Sequence, residues 1–151
     1  MSLIARPRRP ARRILLCSAA LVAAALAVTA SAQQSFKVRL RPVPIEASTA
    51  ANTTGAGEAF AELAGSKLTL RGNFAGLKGP ATVAHLHQGP VMGVRGPSFA
   101  DVTVPAATSG AFNAEIALTP AQVEGLRQGQ IYLQIHSETA PDGNLWGWLV
   151  P

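Results

Sequence analysis

From residue 36 onwards the chain alternates apolar and polar side chains with a period of two. Phe36-Lys-Val-Arg-Leu-Arg41, Glu58-Ala-Phe-Ala-Glu-Leu63, Lys67-Leu-Thr-Leu-Arg-Gly-Asn-Phe74 and Gly110 to Leu118 all show it. Such alternation marks strands with one face on a core and one in water. Glycine, proline and small polar residues punctuate the runs. Ala64-Gly65-Ser66 predicts a hairpin, and Gly72 a bulge inside the second strand of it. Pro42 and Pro44 close the first strand, and Glu46 to Gly57 reads as a loop with nothing to pack. Gly76 to Pro80 predicts a turn before a strand over Thr82 to His87. Phe99 to Val104 and Gln130 to His136 predict two more strands, and a turn at Ala140-Pro-Asp-Gly143 precedes a last one, Leu145 to Leu149. One helix is expected, over Thr119 to Gly129, because threonine stands at the N-cap, proline at the first helical position and glycine after the end. Connections this short exclude parallel crossovers. The pattern predicts antiparallel sheets in a two-layer sandwich or barrel with one short helix.

Composition alters one part of this picture. The full chain of 151 residues carries a formal charge of +5, but Arg6, Arg8, Arg9, Arg12 and Arg13 precede an apolar run over Ile14 to Ala30 that ends in Ala30-Ser31-Ala32. This is the pattern of a secretory signal peptide over residues 1–32, expected to be cleaved and not retained as an anchor. The Arg12-Arg13 pair resembles a twin-arginine signal with poorly matching flanks, so ordinary secretion is expected. Eight basic and eight acidic residues follow position 32, so the exported domain, residues 33–151, is neutral. No basic cluster remains to favour nucleic acid. The only cysteine, Cys17, lies in the predicted leader, so the mature domain depends on its core. Its 119 residues are enough to bury roughly two thirds of the unfolded surface. A periplasmic or secreted protein with no stable membrane span is expected.

The candidate chemistry lies in three histidines. Strand parity puts Val83, His85 and His87 on one face of the central strand, and Tyr132, Gln134 and His136 on one face of the later strand. Both faces oppose the one assigned to the core through Leu86, Ile131, Leu133 and Ile135. Three imidazoles would converge on the outer surface if the two strands are neighbours. Two histidines at i and i+2 stand roughly 7 Å apart at Cα, from a rise of ~3.3 Å per residue, and can approach one ion from the same side. Neutral imidazole suits copper and zinc, and a thioether from Met92 in the following loop would favour cuprous copper. Two readings stay open: His85, His87 and His136 hold a copper-type ion, or the histidines bond to loop backbone and pin the following turn. Met92 is read as packing or ligand, and Glu138 and Asp142 as turn residues or partners of His136. No serine or cysteine motif accompanies the histidines, which argues against a catalytic triad. Trp146 and Trp148 share a face opposite Leu145 and Leu149, forming either an exposed strip for a partner or sugar ring, or rings covered by the loop at 46–57.

These residues resemble a known family. Gly79-Pro80-Ala-Thr-Val-Ala-His85-Leu-His87-Gln-Gly89-Pro90, Leu118-Thr-Pro-Ala-Gln-Val-Glu-Gly-Leu-Arg-Gln-Gly129, and Gln130 to His136 with Pro141-Asp-Gly143 and Gly147, are similar to the CHRD domain, named for its repeats in chordin and found alone in exported bacterial proteins. The resemblance spans Phe36 to Leu149. It implies an all-β, immunoglobulin-like or superoxide-dismutase-like antiparallel sandwich with no settled activity in the bacterial members. Because chordin is an extracellular growth-factor antagonist, it also implies a protein-interaction role. The chain departs from the family where Gly143-Asn-Leu-Trp-Gly-Trp148 replaces a usual Gly-Glu-Ile-Arg-Gly-Gln, which puts any role of that charged pair in doubt. The His-x-His strand is also similar to the copper strand of copper-zinc superoxide dismutases. That likeness is limited to His85 and His87, with His136 as a third ligand, since the histidines for a zinc site and the cysteine pair are missing. The expectation is a non-enzymatic exported binding module, with a protein-interaction module and a metal-dependent redox enzyme as alternatives.

Overall fold

The computed structural model describes residues 33–44 and 46–151, so the predicted leader at 1–32 lies outside the described residues. Eight strands and one helix follow in the order β1 (Gln34–Pro42), β2 (Ala56–Ala64), β3 (Lys67–Ala75), β4 (Ala81–Gln88), β5 (Ser98–Val102), β6 (Gly110–Ala117), α1 (Pro120–Arg127), β7 (Ile131–Ser137) and β8 (Ala140–Trp148). Every strand pairing is antiparallel. The sheet order is β5-β4-β7-β8-β1-β2-β3-β6, and β5 approaches β6 at the open seam. The sheet folds into two four-stranded layers, β5-β4-β7-β8 and β1-β2-β3-β6, joined where β1 passes from β2 to β8. The fold is the expected all-β antiparallel sandwich with one short helix.

Alternation sets the inner faces. Phe36, Val38 and Leu40 of β1, Ala61 and Leu63 of β2, and Leu68, Leu70 and Phe74 of β3 meet Leu86, Leu133, Ile135, Leu145 and Leu149 from the other layer in one buried cluster. Each such large side chain contributes about 1.5–3 kcal/mol through the apolar area it removes from water. The helix plugs one end with Leu126. Its start is a capping box: Thr119 Oγ1 accepts from Gln122 N, and Gln122 Oε1 accepts from Thr119 N at 2.8 Å. Gly129 beyond its end has φ 68°, which ends the helix.

Two local expectations are corrected. The ladders on both sides of Gly72 run without a register shift. The glycine is there for space, since a Cβ would stand 2.5 Å from the Glu58 carbonyl and 2.5 Å from Phe112 Cζ. The turn expected at Ala140 to Gly143 lies within β8, and the chain reverses at Glu138 and Thr139. Ser137 faces Ala140 while Ile135 faces Leu145, so Pro141 to Asn144 bulge out opposite the single residue His136. Turn-forming residues here produce a large bulge instead of a reversal. Gly143 makes it with φ 128°. Asn144, fully buried, anchors the long β1–β2 loop by donating from Nδ2 to the Thr54 carbonyl at 2.6 Å. A neutral amide suits that position, because an unpaired carboxylate would be costly to bury.

Candidate metal centre

Strands β4 and β7 are neighbours, with Val83 opposite His136, His85 opposite Gln134 and His87 opposite Tyr132. Parity therefore brings the three histidines to one face, as expected. One ring nitrogen from each of His85, His87 and His136 lies within 4.8 Å of the other two. Their face is not the open outer surface anticipated from alternation. All three imidazoles are half-buried, and β7 is buried on both faces, Tyr132 being 1 % and Gln134 3 % exposed. Two segments cover them: the β4–β5 loop at 89–97 and the β8 bulge.

The covering segments are tied to the histidines by hydrogen bonds. His87 Nδ1 donates to the Gly96 carbonyl at 2.9 Å, and Tyr132 Oη makes a bond of 3.2 Å to that same carbonyl. A Cβ at Gly96 would collide with the Gln88 carbonyl, so only glycine lets the loop close this tightly. His136 Nδ1 donates to the Pro141 carbonyl at 2.7 Å, and Gln134 Nε2 donates to the Asp142 carbonyl at 2.8 Å, which together hold the bulge. His85 Nε2 lies 3.4 Å from Asp101 Oδ1 on β5. A backbone carbonyl can only accept, so the protons of neutral His87 and His136 sit on Nδ1 and their Nε2 lone pairs point away from those bonds. His136 Nε2 meets His85 Nδ1 at 3.1 Å, while His87 Nε2 is buried and has no hydrogen-bond partner among the described residues.

Burial pushes the His87 and His136 pKa values below the ordinary 6.5. The bonds to Gly96 and Pro141 oppose that shift, while the charges of His85 and Arg95 add to it. Both rings are therefore neutral and able to ligate at neutral pH. The aromatic surroundings continue beyond the histidines. His87 stacks on Tyr132 with centroids 4.7 Å apart, Tyr132 touches Trp148 at 4.6 Å and Trp146 at 5.6 Å, and the Arg95 guanidinium lies 5.5 Å over the Trp146 ring.

The family model described as CHRD domain matches residues 27–149. The chain belongs to the CHRD domain family. No curated protein and no solved structure matches it. The CHRD fold here places the other sequence candidates as follows. Met92 is 59 % exposed at the tip of the β4–β5 loop, and Glu138 is exposed in the β7–β8 turn. Asp142 reaches the site through its backbone carbonyl, and its charge acts on His136 only as the last of several influences. Trp146 and Trp148 are partly exposed, and the histidine loop approaches them through Arg95 and Gly89. Sequence reasoning missed Asp101, Arg95, Gly96 and the Pro141 carbonyl. Gly96-Pro97 carried a turn signal, but nothing local tells that its carbonyl returns to His87. No helix among the described residues is long and apolar enough to cross a membrane.

Proposed function

We propose that this CHRD domain is an exported binding module that holds one copper-type ion through His85 Nδ1, His87 Nε2 and His136 Nε2. The observation that carries it is the buried, unpartnered His87 Nε2, directed by its own Nδ1 bond into a group with two other imidazoles. A buried acceptor without a partner costs about 1–3 kcal/mol, which a bound cation would offset. Three supports agree with the reading. The distal nitrogens have the partners that metal-bound histidines use, namely two backbone carbonyls and one carboxylate. Ligand atoms about 2.0–2.1 Å from a four-coordinate ion stand roughly 3.3 Å apart, close to the 3.1 Å already separating His85 Nδ1 and His136 Nε2. An all-imidazole donor set suits copper, with zinc as the competitor. Binding requires the proton between His85 and His136 to leave that line, and Asp101 is placed to hold the His85 proton on Nε2 instead. The Arg-rich, apolar leader pattern supports export.

The test is titration of the metal-free chain with Cu(II), Cu(I) and Zn(II), beside a His85→Ala/His87→Ala variant whose fold is checked by circular dichroism. One equivalent of copper bound by the parent and at least 100-fold weaker binding by the folded variant are expected. No binding by the parent, or equal binding by both, would overturn the reading and leave the histidines as pins for the loop and bulge.

A further inference from the structure

Beside the histidines, the outer face of the β1–β8 seam carries a pattern unrelated to metal binding. Arg41 pairs with Trp146 and Lys37 with Val150 across the two antiparallel strands, so Arg39 falls opposite Trp148. Directly paired residues share a face. The result is a row of three cations on β1, alternate residues spaced about 7 Å apart at ~3.4 Å per residue, against the two indoles of β8 and the valine just beyond it. Arg95 adds a fourth cation above Trp146. All four cations are exposed, and among the described residues none makes an ion pair. The acidic neighbours are Glu58, which faces Arg39 from β2 without an ion pair, and Glu46 and Asp142, which line a cavity together with Arg95. In a domain with balanced charge, the three cations of the β1 row face one carboxylate, Glu58, a local excess that the net charge conceals.

We infer that this seam is a docking surface for a linear acidic polysaccharide, of the polyuronate class. Guanidinium groups match carboxylates in a bidentate fork, and the apolar faces of sugar rings stack on indoles. A chain with carboxylates at regular intervals meets both rows at once. The sheet order favours a glycan over an extended peptide: β1 and β8 are interior strands, with partners on both sides, so no free backbone edge is available for strand addition. A lipid surface fits less well, because Trp146 and Trp148 pack edge to face at 6.0 Å and are sunk against Tyr132, which prevents them from inserting between acyl chains.

The experiment titrates the purified chain, with chelator present, with polygalacturonate oligomers while tryptophan emission is recorded. Dextran, polyglutamate and phosphatidylglycerol vesicles are run alongside. A saturable spectral change with polygalacturonate is expected, weakened by 0.5 M salt as surface charge interactions are. An Arg39→Gln/Arg41→Gln variant, exposed and outside the core, is expected to bind at least tenfold more weakly. The assignment is overturned if polygalacturonate does not bind, if the arginine variant binds equally, or if polyglutamate or the vesicles bind as tightly. Because metal is chelated throughout, its failure leaves the metal reading untouched, and the reverse also holds.

Discussion

The two layers of the sandwich bury their inner faces alike and treat their outer faces differently. In the β1-β2-β3-β6 layer the outer faces of β1, β2 and β3 bear Lys37, Arg39, Glu58, Lys67 and Arg71, all exposed, and burial alternates almost strictly. In the β5-β4-β7-β8 layer a loop and a bulge lie over the outer face, and β7 has no exposed position. A wet outer face asks little of its residues. A covered one must satisfy every polar group it buries, and there His87, His136, a glutamine and a tyrosine are directed by specific backbone carbonyls, and His85 by His136 and Asp101. The candidate chemistry lies in the layer whose second face is covered.

The largest effects should not distinguish the layers. Leu70→Ala on β3 and Leu133→Ala on β7, both fully buried, are each expected to cost about 2–5 kcal/mol in urea unfolding. A much smaller loss at either position would mean that its layer packs loosely. The outer faces should then separate. Gln134→Leu removes the donor to the Asp142 carbonyl under the bulge and is expected to cost about 1–3 kcal/mol and to weaken copper binding. An unchanged stability would show that the bulge holds itself. Asp101→Asn is expected to weaken copper binding about tenfold, at the low end for a ligand's outer partner, because Asp101 is 83 % exposed. Unaltered affinity would remove Asp101 from the site.

The covered face should also respond to pH. His87 and His136 have lowered pKa values in the folded chain, so the unfolded chain binds more protons between those values and 6.5. Stability of the metal-free chain is therefore expected to fall as pH drops below about 6.5, until it passes the lowered values, and to be constant above it. A His87→Ala/His136→Ala variant should lose most of that slope in thermal unfolding. The smallest effect belongs to the wet face. Arg71→Gln loses a 3.7 Å pair between an exposed arginine and the part-buried Glu62 and should change stability by no more than about 0.5 kcal/mol.

Much of this was legible along the chain. Thr119-Pro120 and Gly129 bounded the helix because capping is local, and alternation placed Leu86, Leu133 and Ile135 inside and His85, His87 and His136 together on the opposite side. Pro141-Asp-Gly143 was misread because a bulge and a reversal use the same turn residues, and only the partner strand distinguishes them. The two readings of the histidines also proved compatible. Nδ1 of His87 and of His136 pins the loop and the bulge, and that same bond directs each Nε2 towards the proposed ion.

By itself the sequence determined where most strands run, where the helix starts and stops, and which side of the regular strands each side chain takes, since a period of two is a property of a few consecutive residues. Only the tertiary structure decided that β4 lies beside β7, that a loop returns to cover the histidines, and that Arg39 and Arg41 stand against Trp148 and Trp146 from the far end of the chain. These depend on strand order, which is settled by how the whole core closes, and no local periodicity encodes it.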